Sequence, residues 1–142
     1  MKRLTLMLLV GLLHVAGSSS AQQQVERKGL TSVVKLEQMV SGYLTELNGK
    51  YKLRVSEVTF EPGGYSGPHH HAGPGLRYVA SGELTFVQAD KTTIFKKGDY
   101  YYESGDITHS AYNKTNSPLV LIIFEILPAD WAGGSTMPPK SK

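Results

Sequence analysis

Between Lys50 and Leu127 the chain is cut by glycine and polar turns into runs too short for stable helices. The runs are Lys52 to Phe60, Leu76 to Ala80, Leu84 to Gln88, Thr92 to Phe95, Tyr100 to Glu103, His109 to Tyr112 and Leu119 to Leu127, each carrying β-branched or aromatic residues. Between them lie Pro62-Gly63-Gly64, Ser81-Gly82, Lys97-Gly98-Asp99 and Asn116-Ser117-Pro118, the dipeptides and tripeptides that turn a chain. This rhythm predicts an all-β domain of antiparallel strands, closed as a barrel or a sandwich. The chain has no cysteine, so such a domain must hold together by packing and not by disulfides.

The flanks read differently. Residues 1–21 have the form of a secretory leader: Lys2 and Arg3, an apolar run from Leu4 to Ala16, and the small residues Ser19-Ser20-Ala21 at a cleavage site. The run falls short of the roughly 20 residues that span a bilayer. A mature, soluble protein is therefore expected to begin at Gln22, exported to a periplasm or the cell exterior. About 120 of the 142 residues then remain, enough for one domain.

Residues 22–49 read as an N-terminal extension, residues 50–127 as the barrel and residues 128–142 as a flexible tail rich in Gly, Pro and Ser. Within the extension two readings compete. Leu36, Met39, Val40, Tyr43, Leu44 and Leu47 have helical spacing, while Asn48-Gly49 would close a hairpin onto the strand that follows. The formal charge of +3 falls to +1 once Lys2 and Arg3 are removed, and the basic residues form no patch, which argues against a nucleic-acid partner.

Beyond the leader, every histidine lies in one of two short segments: His69, His70 and His71 in the first, His109 in the second. On an extended strand His69 and His71 project from one face and His70 from the other. His109 opens a separate strand after Ser104-Gly105-Asp106, and a closed barrel can bring it alongside the pair. Three neutral imidazoles suit a divalent transition ion such as iron(II), zinc, nickel, copper or manganese, and leave coordination positions open.

The two segments resemble the paired motifs of the cupin superfamily. In the first, Gly63, His69, His71 and Gly82 fall in the family register, with Gly75 at the place of the family's glutamate ligand. In the second, Gly98, His109 and Asn113 match, while Ser104 and Asp106 stand where the family has proline and glycine. The resemblance implies a double-stranded β-helix, or jelly-roll, barrel with a metal held by His69, His71 and His109 in its mouth. A site of three histidines resembles that of the superfamily's thiol dioxygenases and some diketone-cleaving enzymes, which makes iron(II) and an oxygen-dependent reaction on a small molecule the first expectation. The alternative is a non-catalytic module that captures a small ligand or a metal.

Around this site, Glu103 is the nearest carboxylate able to replace the missing glutamate, although an exposed edge position is its default. Counting by twos from Gly75 places Arg77 on the ligand face as a fork for a substrate carboxylate. Tyr101 alternates away from Tyr100 and Tyr102 and is a second candidate for substrate contact. Asn113-Lys114-Thr115 fits an N-glycosylation pattern. The resemblance further implies a homodimer, consistent with the need of a small β-domain to cover its edges.

Overall fold

The computed structural model describes residues 24–140, so the expected leader lies outside the described residues. Nine strands are present among the described residues: β1 (Arg27–Met39), β2 (Tyr51–His71), β3 (Gly75–Ser81), β4 (Glu83–Gln88), β5 (Lys91–Lys96), β6 (Tyr100–Glu103), β7 (His109–Tyr112), β8 (Leu119–Pro128) and β9 (Thr136–Met137). All pairings are antiparallel, and together they form a nearly closed jelly-roll barrel.

The long strand β2 explains the closure. Its first half, Tyr51 to Phe60, pairs with β8 on one side and β1 on the other, in a sheet that continues through β3 to β6. Its second half, Tyr65 to His71, pairs with β7, which leads through β4 to β5. The strand passes between the two sheets at Pro62-Gly63-Gly64, where Gly63 adopts a φ of +72° that residues with a Cβ rarely take.

Alternation along β2 sends Val58 and Phe60 into the interior. There they join Val79, Leu84, Phe86, Ala111, Leu119 and Leu121. Complete burial of a side chain such as Leu84 or Leu119 contributes about 1.5–3 kcal/mol. The same inward face carries Lys52, Arg54 and Ser56 toward one end of the barrel and His69 and His71 at the far end of the strand. The interior is thus apolar along part of its length and polar around the mouth.

Two flanking segments depart from the sequence reading. The stretch kept apart from the barrel as an extension supplies β1, paired with β2 from Arg27↔Ser66 to Met39↔Lys52. Its end forms the hairpin and not a helix: Leu36 to Met39 are extended, a single 3-10 turn spans Thr45–Leu47, and the Val40 and Tyr51 backbones bond at 2.9 Å. The ladder to β2 decides this, because Tyr43 and Leu44 find no apolar surface to bury against and stay exposed.

The tail expected to be flexible is laid across the barrel instead. β9 pairs with His70 and His71, Lys52 Nζ donates to the Trp131 carbonyl at 2.6 Å, and Arg54 Nη1 donates to the Gly133 carbonyl at 2.6 Å. Buried cations that need acceptors hold a segment whose own composition would not order it.

Candidate metal centre

His69 and His109 are direct cross-strand partners on β2 and β7, and His71 follows two residues along the same face of β2. The ring centroids of His69 and His109 lie 4.3 Å apart, and His71 lies 5.1 Å from the first and 5.3 Å from the second. One potential ligand atom from each falls within 4.8 Å of the others. All three side chains are buried. His70 is also buried but is not part of this cluster.

Each ring is anchored through Nδ1, which leaves Nε2 free. His69 Nδ1 donates to the Gly67 carbonyl at 2.7 Å, with Ser66 Oγ at 3.2 Å. His109 Nδ1 donates to the Ile107 carbonyl at 3.2 Å. His71 Nδ1 faces Glu125 Oε1 at 3.3 Å and Ser135 Oγ at 3.4 Å. A carbonyl or carboxylate partner on Nδ1 fixes the proton there, so the Nε2 lone pair is presented to the cavity. Phe86 stacks on the His109 ring at 4.8 Å and holds its rotamer.

Burial also keeps two of these rings, His69 and His109, neutral. Desolvation is the main reason that the pKa of His69 falls to about 3, with the neighbouring His109 adding to it. Desolvation likewise pushes His109 down, against the opposing influence of Glu103 and the Ile107 carbonyl. A divalent ion requires unprotonated imidazole, so the donor set fits one.

Glu103 and Arg77 sit beside the histidines. The exposed-edge default for Glu103 is overturned: its side chain is buried, with Oε2 3.2 Å from His71 Nε2 and Oε1 3.4 Å from His109 Nε2. Arg77 does turn inward, as counting from Gly75 places it, and is only 1% exposed. Its fork is not free for a substrate, however. Nη2 lies 2.7 Å from Glu103 Oε2 and 3.3 Å from Glu125 Oε1, because a guanidinium buried this deeply needs counter-charge within reach.

Tyr101 lines the same cavity and stacks on Phe95 at 4.2 Å, whereas Tyr100 and Tyr102 are exposed. Its phenol is pushed well above the usual range by burial and by Glu103, with Arg77 opposing.

Two polar participants escaped the sequence reading. Glu125 accepts from Ser135 Oγ through both carboxylate oxygens, at 2.6 and 2.8 Å. Burial alone would raise its pKa, but the His71 hydrogen bond, the Arg77 charge and Ser135 outweigh that and hold it below the usual carboxylate range. The available signal was alternation, since Glu125 shares its face of β8 with Leu119, Leu121, Ile123 and Leu127. Ser135 carries no such signal, because it lies in the tail outside any strand pattern. The glycosylation pattern at Asn113 is closed off: the side chain is 1% exposed and its Nδ2 donates to the carbonyls of Phe60, Glu61 and Ser117.

The histidines floor a cavity of about 400 Å³, within the range of small-molecule sites. Leu30, Val58, Phe60, Leu121 and Ile123 form its apolar wall, and Gly133 to Thr136 of the tail border it.

Comparison with known proteins agrees with this architecture. The family described as "Cupin domain" matches residues 56–125. No curated protein matches the chain. Among solved structures, a cupin domain from Bordetella pertussis Tohama I is 21% identical, with a TM-score of 0.52 over 71% of this chain and 96% of that one. A polyketide cyclase from Streptomyces resistomycificus is 14% identical, with a TM-score of 0.59 over 94% of this chain and 88% of that one. A salicylate 1,2-dioxygenase from Pseudaminobacter salicylatoxidans is 17% identical, with a TM-score of 0.52 over 68% of this chain and 26% of that one. At these identities the likeness is one of fold.

Proposed function

The chain belongs to the cupin superfamily, and from that premise we propose that it binds a divalent transition metal through His69, His71 and His109 and acts on a small molecule in the barrel mouth. The observation that carries the reading is the convergence of three buried imidazoles whose Nδ1 atoms are all engaged elsewhere, so that their Nε2 lone pairs share one small volume. Iron(II) is the first choice and an oxygen-dependent reaction the first expectation; zinc, nickel, copper and manganese suit the same donors.

When bound, the metal would supply Lewis acidity and, if iron, electron transfer to oxygen. The protein's own contribution is positional. Gly67, Ile107 and Glu125 hold the three rings at fixed angles. Phe60, Leu121 and Ile123 exclude water from the wall of the cavity. Tyr101 presents a phenol that stays protonated at neutral pH and can donate a hydrogen bond to a substrate oxygen.

Protein purified without a histidine tag should contain metal, and His69→Ala and His109→Ala should lose it. Full retention by both variants would defeat the assignment.

A second reading, capture of a ligand or metal without turnover, draws support from Arg77, whose guanidinium is committed to Glu103 and Glu125. Oxygen consumption over a panel of thiols, diketones and phenols separates the two, since a binding module consumes none.

For the assembly, the partner we propose is a second copy of the chain. Among the described residues β1 pairs only with β2, which leaves one edge of a 13-residue strand open beside the exposed Leu36, Leu53, Leu76, Phe124 and Ile126. Export to a periplasm or the exterior is proposed from residues 1–21 and is checked by fractionation with sequencing of the mature N-terminus.

A further inference from the structure

Gly75, at the place of the family's glutamate ligand, is flanked in the sheet by a glutamate on either side. It pairs with Glu103 of β6 and with Glu125 of β8 at the same register. The two differ in what they do. Glu125 is saturated by Ser135, Arg77 and His71 Nδ1. Glu103 faces the opposite edge of the imidazoles, toward His71 Nε2 and His109 Nε2.

We propose that Glu103 is the fourth ligand of the metal centre, supplied from the neighbouring strand in place of the residue that Gly75 lacks. The proposal rests on the three-histidine reading above and adds to it the carboxylate.

Three observations support it. First, a side chain cannot be restored at position 75. A Cβ there would overlap the Phe124 carbonyl oxygen and Arg77 Nη1, so the usual source of the carboxylate is sterically closed. Second, Glu103 Oε2 is buried and accepts no hydrogen bond, although the Arg77 guanidinium lies 2.7 Å away. The contact is a charge pair off the line of the N–H groups. A buried oxygen without a hydrogen bond is costly and calls for a further partner. Third, with Nδ1 donating, the Nε2 lone pairs of His71 and His109 face the Glu103 oxygens at 3.2 and 3.4 Å. A metal ion between them would be within reach of both rings and of the carboxylate.

Arg77 is then a positioning residue that holds the carboxylate in place from behind, and Glu125 positions both Arg77 and His71. An orienting shell of this kind is usual around metal ligands.

Cobalt(II) is the probe, added to the full chain prepared without a tag, with affinity read by chelator competition and the loaded site by its visible absorption. Glu103→Gln is expected to raise the cobalt Kd by more than about 100-fold, beyond the roughly 10–100-fold typical of groups that only orient a ligand. At smaller losses the spectrum decides: shifted bands support the proposal and unmoved bands overturn it, leaving the three-histidine centre intact. Wild-type protein that binds cobalt no better than His69→Ala and His109→Ala overturns the centre itself. Should Glu103→Gln fail to fold, a crystal structure of the zinc-loaded wild type decides. A Glu103 oxygen about 2.0–2.2 Å from zinc supports the assignment. A carboxylate still held only by Arg77, or paired with a protonated histidine, overturns it.

Discussion

The metal-free protein should lose stability on mild acidification, and His69 should be the main reason. The pKa of His69 falls from the ordinary 6.5 to about 3 in the fold, chiefly because burial penalises the charged ring. In the window between those values the unfolded chain binds a proton that the folded chain refuses, so unfolding is favoured as pH falls. The slope approaches 1.36 kcal/mol per pH unit, which puts the loss from His69 at about 2 kcal/mol by pH 5 relative to neutrality. His109 is lowered for the same reason and acts in the same direction. Glu125 does not confuse the window. Its pKa is lowered from 4.5, so the stability it contributes is present above that value and is lost only as pH falls further. Urea unfolding in the presence of a chelator, from about pH 7 to about pH 5, measures the slope. His69→Gln should remove about 1.4 kcal/mol per pH unit of it. Equal slopes for wild type and His69→Gln would refute the claim that burial holds this ring neutral.

Other perturbations give equally direct readings. Asn113→Ala strips the donor from three backbone carbonyls and should cost about 2–3 kcal/mol in urea unfolding, with no glycan attached at that position in the wild type. Gly105→Ala places a Cβ 2.5 Å from the Gly73 carbonyl oxygen at a φ of +90°; it should destabilise by about 1–3 kcal/mol and, because the Gly105 carbonyl accepts from His71 N, should also weaken metal binding measured by chelator competition. Phe124→Lys on the exposed apolar face should convert the proposed dimer to a monomer in light scattering with little change in the unfolding midpoint of the monomer.

The strand pattern was legible because each run between turns alternates or is wholly apolar, and the register His69↔His109 follows once β2 and β7 pair. What the pattern could not carry was the fate of segments governed by distant partners. Leu36 to Leu47 has helical spacing, yet β1 gains a ladder to β2 that a helix would forfeit. The residues after Pro128 look unable to order themselves, and they do not: Lys52, Arg54 and Glu125 order them from outside. Those three charges lie on strands, and nothing local to the tail announces them.

The site was legible in its histidines and obscure in its charges, and the charges explain why a glycine at position 75 is tolerated. The family's motif pairs three neutral imidazoles with one carboxylate, so a divalent ion leaves a net charge of about +1 in the first shell. Here the buried groups at the same place are three imidazoles, two carboxylates and one guanidinium. Counted formally, with neutral imidazoles and carboxylate anions, their sum without a cation is one negative charge, and with a divalent ion it is again about +1. Arg77 and Glu125 cancel each other, which leaves Glu103 as the carboxylate that only a cation balances. Removing Glu125 would expose that arrangement. Glu125→Gln keeps the shape but leaves Arg77 with Glu103 alone, so the guanidinium should draw Glu103 from His71 and His109, and metal affinity should fall within the roughly 10–100-fold of an orienting residue. Arg77→Met together with Glu125→Gln removes that pull, although it also removes the positioning contact, and should bind metal more tightly than Glu125→Gln alone. A double variant no better than the single one would show that Arg77 and Glu125 do not act on the centre through Glu103.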